Sequence, residues 1–253
     1  MNMRTRQCSA LAAAFALAAT LLSGCYVRIP EKVIEDLKEK IAATPGTPKS
    51  QTFCFGSCRN IHILNDWDKE YVQTDGDSVR VVIVTSDVVL DHVRIEQDGT
   101  DLLIGYDLKL SRFQAAEHKV TVYGPLPDSL FLRGSGDAHI SSVTGDSLYI
   151  SAVGSGDVIL GIVKLGGKLT MVKEGSGDLS LPSVDAGTLV LEKNGSGDTY
   201  LAGNVRKAQF SKQGSGDLDA GRLNAKEAKV LEVSGSGSFR YNLNGETIDT
   251  DED

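Results

Sequence analysis

The sequence predicts an all-β protein whose main architecture is a parallel β-helix of about six coils of roughly 20 residues. Its strongest signal is the tetrapeptide Gly-Ser-Gly-Asp, which occurs five times, while a sixth copy has serine in place of the aspartate. The first glycines of the copies lie 19 to 21 residues apart, and a near-constant interval of this length is typical of stacked repeats. They are Gly134, Gly154, Gly175, Gly195, Gly214 and Gly235.

Residues on both sides of each tetrapeptide alternate between apolar and polar, as in a strand that buries one face. The position four residues before the first glycine is apolar in every copy. It is occupied by Leu130, Ile150, Met171, Leu191, Phe210 and Leu231. Each unit is therefore predicted to contain a strand, a glycine corner, a second strand and a polar return such as residues 182–187 or 202–207. Since one unit cannot bury its apolar face alone, we expect stacked coils to share one interior.

The glycines and the aspartate of each tetrapeptide are predicted to form a structural corner. Glycine permits a positive φ and a close approach between backbones because it has no Cβ. We expect each carboxylate to accept hydrogen bonds from backbone N–H groups of its own corner, as in an Asx-turn. A column of calcium-binding aspartates is the alternative, although calcium-binding nonapeptide repeats have a different period and a different glycine-to-aspartate spacing. The predicted corner residues are Gly134, Gly136, Asp137, Gly154, Gly156, Asp157, Gly175, Gly177, Asp178, Gly195, Gly197, Asp198, Gly214, Gly216, Asp217, Gly235 and Gly237.

The N-terminal segment predicts export and a lipid anchor. Residues 1–24 place two arginines before an apolar run, which is the layout of a secretory signal peptide. The segment ends in Leu-Ser-Gly immediately before Cys25, and this ending resembles the lipobox of bacterial lipoproteins. The resemblance implies cleavage before Cys25 and lipid attachment to it, so a membrane of the bacterial cell envelope is an expected partner. Tyr26 follows the anchor where an aspartate would favour the inner membrane, and this favours the outer membrane.

Cys54 and Cys58 are predicted to form a local disulfide, because an exported protein folds in an oxidising compartment. The alternative is a metal site. Such a site needs two further ligands, and the four histidines are scattered along the chain. We therefore expect no metal and no cofactor.

The charge balance argues against a nucleic-acid partner. The chain has a formal charge of −8, and loss of residues 1–24 leaves 24 basic and 34 acidic residues, a charge of −10. Proteins that bind nucleic acid carry a basic patch for the phosphates, and the sequence contains none.

Composition divides the mature chain into four parts. Residues 25–50 are predicted to be a lipidated tether, with an amphipathic helix over 30–43 followed by a linker that contains proline and glycine. Residues 51–125 contain strands without the glycine corner, and we expect them to cap one end of the coils, whose open edges would otherwise invite aggregation. Residues 126–245 form the repeats, and residues 246–253 form an acidic, solvated tail.

Several of these motifs resemble the bacterial family of putative auto-transporter adhesins with a head GIN domain, over about residues 61–243. The resemblance is carried by residues 86–93, 101–106 and 118–126 and by the glycine corners that follow. It implies a right-handed parallel β-helix, export and, frequently, a lipoprotein signal. It brings no catalytic residues with it.

We therefore expect a non-catalytic lipoprotein that acts as an adhesin or scaffold and binds a glycan, a protein or other copies of itself. The chain has no nucleophile elbow, HExxH motif or phosphate-binding loop. Two alternatives stay open at this point. One is a polysaccharide lyase or hydrolase that combines the aspartate column with Arg133, Lys173 or Lys193. The other is calcium-dependent adhesion through the same column.

Overall fold

The computed structural model describes residues 46–107 and 118–250. It confirms the predicted fold class, because parallel ladders stack the chain into a β-solenoid of about six turns. Within the described ranges, one four-residue helix, α1 (Asp87–Leu90), interrupts the strands. The strands are β1 Pro48–Phe55, β2 Asn60–Ile63, β3 Asp68–Gln73, β4 Val79–Ser86, β5 Val93–Asp98, β6 Asp101–Tyr106, β7 Lys119–Gly124, β8 Ser129–Arg133, β9 Ala138–Ile140, β10 Val143–Gly145, β11 Leu148–Val153, β12 Val158–Leu160, β13 Ile162–Glu174, β14 Leu179–Asn194, β15 Thr199–Gln213, β16 Leu218–Ser234, β17 Phe239–Leu243 and β18 Glu246–Asp249.

Each coil of the repeat contains three strand segments. In β14 the first segment begins at Leu179 after the corner, the second contains Val184 and Ala186, and the third contains Leu191. All four side chains are buried, and each residue pairs in parallel with the coils on either side. The polar return predicted over residues 182–187 is therefore wrong. Because alternate residues of that segment are apolar, it buries one face and forms a strand.

β-Bulges absorb the small differences in repeat length. In β16, Val230 pairs with Phe210 and Glu232 pairs with the next residue of β15, so Leu231 is the extra residue of a bulge. Leu231 is 51% exposed, and Val230 takes the interior position that the sequence had assigned to Leu231. That assignment was wrong because one inserted residue moves its neighbours to the opposite face of the strand.

The N-terminal strands provide both a cap and a regular coil. β2 pairs in parallel with β6 and with β8, and β3 pairs in parallel with β7 and with β9. β2 and β3 are therefore a coil that lies between the first repeat coil and a coil made of β6 and β7. The antiparallel strands β4 and β5 cover the coil of β6 and β7, and β1 pairs with β4. β1, β4 and β5 therefore cover this end, whereas β2, β3, β6 and β7, which the sequence analysis also assigned to the cap, form parallel coils.

Residues 65–68, with the sequence Asn-Asp-Trp-Asp, form the corner of the coil made of β2 and β3. Asn65 has a φ of 68°, and the first glycine of each repeat corner likewise has a positive φ. A Cβ on Gly134 or Gly136 of the next coil would lie 2.0 Å from the carbonyl oxygen of Asn65 or Trp67. The first repeat corner is therefore stacked directly on this divergent one, which the tetrapeptide pattern does not reveal.

A hairpin closes the C-terminal end of the described chain. β18 pairs antiparallel with β17, and the connecting residues Asn244 and Gly245 have φ values of 54° and 90°. Two positive φ values in succession define the type I′ turn, for which Asn-Gly is the preferred sequence. The solvated tail predicted from residue 246 onward is therefore wrong for residues 246–249, because the Asn-Gly turn folds them back onto the last coil.

The signal peptide, the lipidation site at Cys25, the tether helix and the last three residues of the acidic tail lie outside the described residues. These assignments stay predictions. In the part of the chain that the structure describes, no helix has the length and apolar character that crossing a membrane requires.

Candidate functional site

The corner aspartates form a hydrogen-bonded ladder along the stack of coils. Asp137 Oδ1 accepts a hydrogen bond from the backbone N–H of Asp157 at 2.9 Å, and Asp157 Oδ1 accepts one from Asp178 at 2.8 Å. The contact repeats with the next corner for Asp178, Asp198 and Asp217. The carboxylates therefore bind the following coil, and the prediction that they bind their own corner was wrong. The six first glycines of the corners have φ values between 103° and 147°.

The two ends of the ladder explain where the chain departs from the repeat. At one end, Asp68 Oδ1 accepts from the N–H of Asp137 at 3.3 Å. At the other, Ser238 donates its N–H to Asp217 at 2.8 Å, and this hydrogen bond is the main reason that the pKa of Asp217 is lowered. No described corner follows Ser238. A carboxylate at that position would therefore have no backbone N–H of a following corner from which to accept a hydrogen bond.

The carboxylates that a calcium site would need as ligands already accept hydrogen bonds in the ladder. One oxygen of each aspartate from Asp137 to Asp217 is occupied by a backbone N–H. Calcium takes six to eight oxygen ligands. Across residues 46–107 and 118–250, no group of three or more His, Cys, Asp or Glu side chains is arranged to hold a metal ion. These contacts support a structural role for the corner.

Lysine side chains fill the inner side of several corners, a feature that the sequence analysis did not assign. Lys193 and Lys212 pair in adjacent coils, two residues before the first glycine, and are 3% and 0% exposed. Lys193 Nζ donates to the carbonyl of Gly216 at 3.2 Å, and Lys212 Nζ donates to that of Gly237 at 2.6 Å. Burial, with a contribution from Lys212, lowers the pKa of Lys193. The glycine carbonyls thus provide the partners that a buried ammonium group needs.

Two buried corner lysines, Lys173 and Lys193, were candidates for a polysaccharide-cleaving site. Lys173 is 4% exposed and donates from Nζ to the carbonyl of Gly154 at 3.3 Å, whereas Arg133 is exposed. Lys173 and Lys193 therefore contact the backbone inside the corners, while the aspartates lie on the exposed side. This arrangement gives the lysines a role in stabilising the corners.

Cys54 and Cys58 are both free in the structure, so the predicted disulfide is not present. Cys54 is exposed on β1, opposite Arg80 of β4. Cys58 is buried in the core, where its thiol lies 3.5 Å from the carbonyl oxygen of Gly56 and burial raises its pKa. The pairing of β1 with β4 and the burial of Cys58 direct the two side chains into different environments.

A polar groove with a volume of 370 Å³ lies along the second strand segments of the later coils. Its most regular feature is a column of Asp185, Asn204 and Asn224, which are exposed and pair with one another in successive coils. Adjacent strands lie about 4.8 Å apart, so the column presents a carboxylate and two amides at that interval. Together these groups both donate and accept hydrogen bonds.

Differences in side-chain size between successive coils make the groove concave. Gly187, Arg206 and Lys226 occupy equivalent positions in three successive coils, because the residues on either side of them pair in register. Gly187 and the preceding coil's Gly166 have no side chains, so they form a shelf beside the two long cationic side chains. The Gly-Ser-Gly-Asp pattern could not locate this groove, because it lies beside a different turn of the coil.

A second groove, of 390 Å³, is lined by Tyr200, Arg222 and Arg240. Arg240 forms a two-point ion pair with Asp219, with Nε–Oδ1 and Nη2–Oδ2 distances of 2.8 and 2.6 Å. This pair lowers the pKa of Asp219. Because Asp219 neutralises Arg240, this groove has fewer charged groups free for a ligand than the first one has.

The chemistry of the polar groove suits binding. Hydrolysis of a glycosidic bond ordinarily uses two carboxyl groups that flank the bond. Among the described residues that line the groove, Asp185 is the one carboxylate. The described lining residues can therefore form hydrogen bonds with hydroxyl groups and an ion pair with an anionic group.

Comparison with known proteins agrees with this architecture. Residues 59–249 match the model of the family described as putative auto-transporter adhesin, head GIN domain. No curated protein matches the sequence.

Solved structures of low sequence identity share the fold. A putative lipid binding protein from Parabacteroides distasonis is similar with a TM-score of 0.64 and 22% identity, covering 79% of this chain and 96% of that one. A putative adhesin from the same organism has a TM-score of 0.63 and 19% identity, covering 77% and 82%. A putative adhesin from Parabacteroides merdae has a TM-score of 0.60 and 22% identity, covering 77% and 81%.

Proposed function

The chain belongs to the family of putative auto-transporter adhesins with a head GIN domain, and from this we propose that it is a non-catalytic adhesin of the cell envelope that binds glycan chains in the polar groove. The observation that carries the proposal is the column of Asp185, Asn204 and Asn224. A sugar ring presents several hydroxyl groups, and each can donate one hydrogen bond and accept others. A column of carboxylate and amide groups is complementary to such a surface.

The spacing of the column also suits a polymer. Its groups recur at the strand interval of about 4.8 Å. A polymer that lies along the stack of coils would therefore meet a polar group of the column at regular intervals. The single carboxylate among the described lining residues favours binding over cleavage.

We propose that Cys25 holds this adhesin on the outer membrane. The lipobox-like ending of residues 1–24 supports this anchoring. Each buried CH₂ of an acyl chain contributes about 0.8 kcal/mol, so several chains on one residue would keep the protein on the membrane almost permanently. A glycan-binding groove on an anchored protein would attach the cell envelope to a polysaccharide.

Replacing Asn204 and Asn224 together with alanine is expected to weaken glycan binding at least tenfold. Each lost hydrogen bond contributes about 1 kcal/mol, and 1.4 kcal/mol is a tenfold change in Kd. The purified protein would be run by affinity electrophoresis through gels that contain xylan, β-glucan, mannan or polygalacturonate, and a saturable retardation would give the Kd. The melting temperature should stay unchanged because both side chains are exposed.

Asn194→Ala provides a matched control, since Asn194 is an exposed asparagine at a glycine corner and does not line the groove. It should bind each retained polysaccharide as the unsubstituted protein does. Absence of saturable retardation by any of these polysaccharides would contradict the proposed function. Equal binding by the double variant would contradict the assignment of the groove.

A further inference from the structure

We infer that the polar groove selects acidic glycans, with the carboxylate of a uronic acid residue held by Arg206 and Lys226. This inference rests on the proposed glycan binding and specifies the class of sugar. Arg206 and Lys226 occupy equivalent positions in adjacent coils, so their side chains leave the backbone about one strand spacing apart. Both line the groove and both are exposed.

The two cations are available to a ligand. Within the described chain, neither Arg206 nor Lys226 has an ion pair or a hydrogen bond with another residue. The adjacent Lys207 differs, because its Nζ lies 3.8 Å from a carboxylate oxygen of Glu227. A guanidinium that has no partner can present two parallel N–H groups to the two oxygens of a carboxylate.

The local charge is opposite to that of the whole protein. The charged residues that line the groove are Asp185, Arg206 and Lys226, which gives the groove a net charge of +1. The full chain has a formal charge of −8. An acidic polymer would therefore be repelled by most of the surface and attracted here, which directs it to one face.

The order of groups along the groove separates hydroxyl recognition from charge recognition. Asp185 lies one coil before Arg206 and two coils before Lys226. The carboxylate of a sugar would therefore lie at the Arg206–Lys226 end, away from Asp185. Asp185 would accept hydrogen bonds from hydroxyl groups of the neighbouring sugars, and Asn204 would both donate hydrogen bonds to them and accept hydrogen bonds from them.

The shelf gives the sugar ring room beside the cations. The nearest atom to a Cβ built on Gly166 is Asp146 Oδ1, at 3.9 Å. Gly166 also lacks a positive φ, so a larger side chain can be introduced there without backbone strain. Gly166→Phe should fill the groove and abolish binding of every polysaccharide while the protein stays folded.

The test compares polygalacturonate with its fully methyl-esterified, neutral form, by isothermal titration of the purified protein. We expect the acidic polymer to bind at least tenfold more tightly at 150 mM salt. Arg206→Gln/Lys226→Gln should remove this preference and leave the affinity for the neutral polymer unchanged. Arg133→Gln/Lys229→Gln is the matched control, because it removes the same charge from exposed residues that do not line the groove.

The outcomes distinguish the inference about acidic sugars from the proposed binding of glycans in general. Equal affinity for the acidic and neutral polymers would overturn the inference about acidic sugars and leave glycan binding intact. An equal loss of affinity in the Arg133/Lys229 control would also overturn it, because non-specific charge attraction would then explain the preference. Binding of neither polymer would overturn the inference, and failure with the whole set of polysaccharides named above would contradict the proposed function as well.

Discussion

Replacing Gly177 with alanine is expected to destabilise the protein by about 4 kcal/mol or more, an unusually large effect for one methyl group. A Cβ at this position would lie 2.0 Å from the carbonyl oxygen of Gly156 and 2.8 Å from that of Ser155. Both are backbone atoms of the preceding coil, so neither can rotate away. The two coils would have to separate, and the hydrogen bond from the Asp178 N–H to Asp157 Oδ1 would lengthen or break.

Urea unfolding followed by circular dichroism measures this effect, with Gly56→Ala as the matched control. The nearest atom to a Cβ on Gly56 is the side-chain Nε2 of Gln97, at 3.9 Å. The control should therefore unfold close to the urea concentration of the unsubstituted protein. A Gly177→Ala protein with the same midpoint as this control would contradict the account of why the corner requires glycine.

Replacing Trp67 with alanine is expected to cost about 3–5 kcal/mol, the range for removing a fully buried aromatic side chain. Trp67 has no exposed surface and occupies the position that glycine takes in the repeat corners. The coil of β6 and β7 has no repeat tetrapeptide, and the indole ring stacks on His118 with ring centroids 3.9 Å apart. The ring also meets Tyr106 edge-on at 5.1 Å. Loss of these contacts should loosen the coil of β6 and β7 before the repeats.

Hydrogen exchange of the backbone amides in β6 and β7, combined with urea unfolding, measures the loss of Trp67. Trp67→Phe keeps an aromatic ring in the same space and should cost less than half as much. If the alanine variant lost under 1 kcal/mol, or exchanged no faster in these strands, Trp67 would not join the coil of β6 and β7 to the repeats.

The repeat was predictable because its physical cause is local and recurs. Each coil must pass the one before it at close range, so Gly175 and Gly177 and their equivalents appear at the same interval. The aspartate column was also visible in the sequence. Every repeat coil except the last has an aspartate that accepts a hydrogen bond from the next coil. The substitution at Ser238 becomes understandable once the direction of the ladder is known.

Features that depend on contacts between distant segments could not be predicted from that pattern. The corner at residues 65–68 is separated from the first repeat corner by 69 residues, and its sequence differs because Trp67 packs on His118. The buried lysines such as Lys212 were missed because a charged side chain normally predicts exposure. The groove was missed because it depends on which coil has glycine and which has Arg206 at one position.

The aspartate ladder is expected to stabilise the fold, and the groove is expected to bind the ligand. The most direct test of this division of roles is to measure, for two variants, both the melting temperature and the Kd for polygalacturonate. Asp178→Ala removes the acceptor of the Asp198 N–H, a hydrogen bond of 2.7 Å, and should lower the melting temperature by roughly 2–4 °C without changing the Kd. Asn204→Ala/Asn224→Ala should raise the Kd at least tenfold without lowering the melting temperature. The opposite result, with binding lost in Asp178→Ala and retained in the groove variant, would contradict the account and place the ligand on the aspartate ladder.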